Sequence, residues 1–107
     1  MLFRSDMGDP VGAAEHALKQ LKPDGMLIII EPFANDNLES NLNVIGQMIY
    51  CASTMGCVPA SLAQEVGMAL GAQAGPAKLT MVLQQAGFAK IETVATTATN
   101  MVLCATK

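Results

Sequence analysis

Val11, Ala14, Ala17, Leu18 and Leu21 recur at steps of three and four, the spacing that lines one face of a helix. Asp9-Pro10 stands just before them, a capping residue followed by proline at the first helical position, so a helix is predicted over Pro10–Leu21. Lys22-Pro23-Asp24-Gly25 ends it, because proline disfavours helical geometry at the residue before it and Asp-Gly supplies a turn. Met26-Leu27-Ile28-Ile29-Ile30 is then apolar without alternation. That run predicts a strand covered on both faces, as in a parallel α/β sheet, and Glu31-Pro32 closes it. A carboxylate at the carboxyl end of such a strand lies where open α/β sheets bind ligands, which makes Glu31 a candidate site residue.

Leu38, Leu42, Ile45, Met48, Ile49, Ala52 and Met55 return to helical steps and predict one helix over Glu39–Met55, with Met48 and Met55 as core fillers. Ser61 followed by Gln64 has the form of a capping box, and Leu62, Val66, Ala69 and Leu70 mark a shorter helix behind it. The stretch from Gly71 to Gly75 reads as a flexible joint. Gly75-Pro76 opens a last helix, with Leu79, Val82, Leu83 and Ala86 on one face and Gly87 as its end. Phe88–Val94 and Asn100–Thr106 are rich in β-branched and apolar residues, and the short link between them permits an antiparallel hairpin. The order is helix, strand, two helices, helix, strand, strand. It is an α/β pattern with no glycine-rich phosphate loop.

Composition narrows the function classes. A chain of 107 residues is one domain's worth. Charged residues are 14% of it and apolar residues 51%, which excludes a solvating, disordered tail. The net charge is -3 and every Lys and Arg stands alone, so there is no footprint for a nucleic-acid backbone. No apolar run is longer than Met26–Ile30, far short of the roughly 20 residues that span a bilayer. Cys51, Cys57 and Cys104 form no CxxC pair, which points to a reducing, cytoplasmic setting with packing thiols. One histidine, His16, falls on the polar side of the first helix, and no metal site is expected.

Four segments in order carry a family resemblance: Asp6-Met7-Gly8-Asp9-Pro10, Leu21-Lys22-Pro23-Asp24-Gly25, the strand ending in Glu31-Pro32-Phe33, and Leu83-Gln84-Gln85-Ala86-Gly87-Phe88. Together they resemble the carboxyl-terminal half of class I S-adenosylmethionine-dependent methyltransferases, over nearly the whole chain after Ser5. The segments Asn35–Asn43 and Tyr50–Met55 are similar to an insertion in bacterial small-molecule members that carry a winged-helix amino-terminal domain. The resemblance implies a partial Rossmann-like sheet made of the family's fifth, sixth and seventh strands. The last two would form an antiparallel hairpin, and the final strand would lie between the other two. Flanking helices and a helical insertion over residues 38–73 would complete it, with residues 6–107 as the catalytic half-domain. Leu2-Phe3-Arg4-Ser5 matches the translation of a common sequencing-adapter string, so residues 1–5 are read as an artificial start.

The resemblance further implies a methyl transfer from S-adenosylmethionine to a small-molecule acceptor by the parent protein. The family's first three strands and GxGxG loop have no counterpart, so the cofactor-binding residues lie outside this chain and the chain alone is expected neither to bind the cofactor nor to be active. Asp6 would sit beside the cofactor sulfur and the acceptor as the candidate catalytic residue. Related enzymes place a histidine directly before that aspartate, where this chain has Ser5. Glu31 and Phe33 would wall the substrate pocket, and Tyr50, Ser53, Thr54 and Cys57 would line its roof. The partners implied are the methyl acceptor, no nucleic acid and no membrane, with a homodimer left open. The competing reading is a non-enzymatic α/β module that pairs with a partner through the uncovered edge of Met26–Glu31.

Overall fold

The computed structural model of the chain describes residues 7–107. Helix α1 (Pro10–Gln20) starts as its sequence dictates: Asp9 Oδ1 accepts a hydrogen bond from the Gly12 amide at 2.8 Å, and Pro10 takes a position where no amide is needed. A turn closed by the Gly25 amide on the Lys22 carbonyl at 2.9 Å leads into strand β1 (Met26–Pro32). Helix α4 (Gly75–Gln85) precedes strands β2 (Lys90–Thr96) and β3 (Asn100–Thr106). The molecule is mixed α/β, with an open antiparallel sheet in the order β1-β3-β2. The hairpin and the central position of the last strand are both as expected. Its first strand starts at Lys90 rather than Phe88, because Phe88 is buried in the core and its amide closes the end of α4 on the Leu83 carbonyl at 3.1 Å.

α1 and α4 pack against each other, and their buried side chains form one core with those of the sheet. Ala14 from α1 and Leu79, Val82 and Leu83 from α4 meet Leu27, Ile29, Met101, Leu103 and Ala105 from the strands. This corrects the expectation for β1, which is not covered on both faces. Its burial alternates, leaving Met26, Ile28 and Ile30 56%, 48% and 46% exposed, and its only strand neighbour among the described residues is antiparallel. The Phe33 amide bonds the Thr99 carbonyl at 2.9 Å and so continues the β1–β3 register. Antiparallel partners exchange bonds at every second position, so Leu27, Ile29 and Glu31 turn their backbone groups to β3. Met26, Ile28 and Ile30 turn theirs to the open edge.

The single helix expected over Glu39–Met55 is broken. It consists of a 3₁₀ turn (Glu39–Asn41), α2 (Val44–Ala52), a π turn (Ser53–Cys57) and α3 (Val58–Leu62). Asn43 caps α2 by accepting from the Gly46 amide at 2.9 Å. Pro59 has no amide to donate and its ring crowds the carbonyl four residues back, so the backbone widens there and the Val58 amide bonds Ser53. The apolar face of this segment stays open: Met48 and Met55 are exposed rather than core fillers. Ser61 does not begin a helix. It lies in the last turn of α3, where its hydroxyl donates to the Met7 carbonyl at 2.7 Å and accepts from the Ala69 amide at 2.9 Å. Gln64 Oε1 accepts from the Gly8 amide at 2.9 Å, and no helix follows before α4. Cys51 is exposed, so the packing role expected of the thiols fails for it.

Candidate functional site

The loop that leaves β1 folds around one side chain. Asn41, 4% exposed, accepts from the Asn35 amide at 2.7 Å and donates to the carbonyls of Asn35 and Asn37 at 2.9 and 3.1 Å and to the Tyr50 hydroxyl at 3.3 Å. It thereby ties the loop to α2. Asp36 Oδ1 reaches further and accepts from the Ala77 amide in the first turn of α4 at 2.7 Å, supplying a cap that α4's own N-terminal residues lack. On the other side, buried Ser53 accepts from the Ala72 amide at 3.0 Å.

These two anchors grip the segment Gly71–Gly75 at both ends. Its two glycines adopt left-handed backbone, with φ of 76° and 80°. A Cβ on Gly71 would stand 2.8 Å from Ser53 Oγ, and one on Gly75 2.9 Å from Asp36 Oδ1. The expected flexible joint is therefore a buried strap, with Gly71, Ala72, Ala74 and Gly75 all out of solvent.

Between the strap, the loop and the helices lies a cleft of about 340 Å³, walled by polar Asn35, Asp36, Tyr50, Ser53, Thr54 and Gln73 and by apolar Leu38, Val58 and Leu70. Gln73 is in the middle of the strap, and both atoms of its amide are shut away from water with no hydrogen-bond partner. Leaving a buried polar group unpaired costs about 1–3 kcal/mol. Glu31 is a second such group: it is 5% exposed, its Oε1 has no partner, and burial pushes its carboxyl up to about 7.

Of the residues singled out from the sequence, Tyr50, Ser53 and Thr54 come together on the cleft. Glu31, Phe33 and Cys57 do not line it; Phe33 packs against the core cluster instead, because β1 turns its odd-numbered side chains to the helices. Asp6 lies outside the described residues. His16 is exposed on α1, away from the cleft. Among the described residues no three His, Cys, Asp or Glu side chains gather where they could hold a metal ion, and no helix is long and apolar enough to cross a membrane. The sequence reading missed Asn41, Asp36 and Gln73 as site residues. The crowding of Asn and Asp between positions 35 and 43 was a signal for the first two, since these side chains bond readily to nearby backbone. A lone glutamine among alanines and glycines gave none. No family model and no curated protein matches the chain.

Proposed function

We propose that the chain is the carboxyl-terminal half of a class I methyltransferase catalytic domain, partly Rossmann-like, and that the cleft beside α2 and α3 belongs to its small-molecule acceptor pocket. The observation that carries this reading is the strand order. The last strand lies antiparallel between the strand after Leu21–Gly25 and the strand after Ala86-Gly87-Phe88, the arrangement that the four sequence segments imply. The cleft supports it in a second way, because three residues assigned to the pocket roof share it.

Residues 7–107 do not by themselves fit S-adenosylmethionine. The glycine-bearing strap of the cleft, Gly71–Gly75, follows α3 and not a strand, and the α4 N-terminus beyond it is already capped by Asp36. No step of the transfer is therefore assigned to these residues beyond handling the acceptor. Tyr50, Ser53 and Thr54 orient it, and the apolar walls exclude water.

Two measurements test the proposal. Calorimetric titration of the chain with S-adenosylmethionine is expected to show no binding, and micromolar binding would require a cofactor site within the chain. Sequencing source DNA upstream of the Asp6 codon is expected to reveal a strand followed by GxGxG, with an acidic residue about 20 positions on. An in-frame stop codon directly upstream would overturn the reading. It would favour instead an interaction module working through the open edge of β1, a reading supported by exposed Met26, Ile28 and Ile30.

A further inference from the structure

The polar equipment of the cleft is selective about what it can pair with. Gln73 carries one donor, Nε2, and one acceptor, Oε1, side by side on a planar amide, and both are unpartnered. The backbone that carries them is fixed: Ser53 bonds the Ala72 amide on one side, and Gly75 fits against Asp36 on the other. The side chain of Gln73 is the part left to turn, and the residue lines the cleft while its amide tip is tucked out of water. A tip without partners loses no hydrogen bond when it swings out. A compound that offers the matching pair of groups would draw it into the cleft.

We propose that Gln73 is the specificity-determining residue of the cleft and that the ligand is a small planar ring presenting an N–H beside a C=O, a cis-lactam edge, paired to both atoms of the Gln73 amide. The chemistry disfavours the obvious alternatives. A carboxylate would satisfy Nε2 and repel Oε1, and the charges of Asp36 and Lys78, both in the cleft wall, oppose one another and do not make up for that mismatch. An ether or ketone would leave Oε1 unpaired, and an alkylamine would leave Nε2 unpaired. Tyr50, Leu70 and Val58 supply the apolar contact that a flat ring needs. In identifying this ligand class with the methyl acceptor, the inference rests on the methyltransferase reading; as a statement about binding it does not.

The test uses the full chain and two probes, 2-pyridone and N-methyl-2-pyridone, which share the ring and the carbonyl but differ in the N–H. Amide chemical shifts followed by NMR are expected to report 2-pyridone binding at least tenfold more tightly, with the largest shifts at Tyr50, Ser53 and Gln73. In Gln73→Met, which keeps the length of the side chain and relieves the unpaired amide, the two affinities should converge to within threefold. Equal binding of the probes to the unaltered chain, binding to neither, or shifts confined to another surface would each overturn the proposal without recourse to the variant. So would a tenfold preference that survives in folded Gln73→Met. Failure here leaves the methyltransferase reading standing, whereas an upstream stop codon would remove that reading and leave lactam recognition untouched.

Discussion

Glu31 couples the folding of this chain to pH, and the direction follows from its surroundings. Unfolded, its carboxyl ionises near its ordinary value of 4.5; folded, burial holds the proton until about 7. Between those values the folded state binds the proton that the unfolded state has lost, so stability falls as pH rises through this window and levels off above it. At about 1.4 kcal/mol per pH unit the full change is roughly 3 kcal/mol. Thermal melts at pH 5 and pH 8 should therefore show a lower Tm at the higher pH. Glu31→Gln, neutral throughout, should flatten that difference whatever its own absolute Tm. Asn41 is the other residue on which much depends. Asn41→Ala strips bonds from the Asn35 amide and carbonyl, the Asn37 carbonyl and the Tyr50 hydroxyl at a buried position, and a loss of about 2–3 kcal/mol is expected by urea denaturation. The place of Glu31 near the end of β1 was legible from the apolar run before it. Its burial was not, because the run lacks alternation and gave no hint of which parity would face the helices.

The elements were legible where a local signal was complete. Asp9-Pro10 capped α1 as written, and the hairpin formed from the two predicted runs with its first strand starting later, at Lys90. Between residues 39 and 70 the helical spacing of apolar residues was real, but Pro59 and the Asn-rich turn outweighed it, and the apolar face stays exposed among the described residues. Two glycines of that segment have opposite expected behaviour. A Cβ on Gly46 would overlap the Asn41 carbonyl oxygen, so Gly46→Ala must push the loop off α2 and is expected to destabilise by more than about 2 kcal/mol. Gly56, in the π turn, has nothing within 4 Å of that position. Gly56→Ala should raise stability by about 0.5–1 kcal/mol, since glycine is the costlier residue in a helical backbone. Circular-dichroism melts of the two variants side by side check both signs.

At the scale of the molecule, the two outer strands of the sheet are unlike each other. The β2 side carries Lys90 and Glu92, paired at 3.3 Å on the surface, the kind of charge that discourages further strand addition, while β1 offers Met26, Ile28 and Ile30. The alternation of β1 toward and away from β3 also has a signature in time. Dissolved in heavy water, the chain should exchange the backbone hydrogens of Met26, Ile28 and Ile30 rapidly, because they point off the sheet. Those of Leu27, Ile29 and Glu31, locked to β3, should persist, so that residue-by-residue rates along β1 rise and fall with a period of two. That sawtooth reports whatever lies along the edge: a strand added there, whether from another copy or from the rest of a larger domain, would slow the fast members to match the slow ones and leave the profile flat.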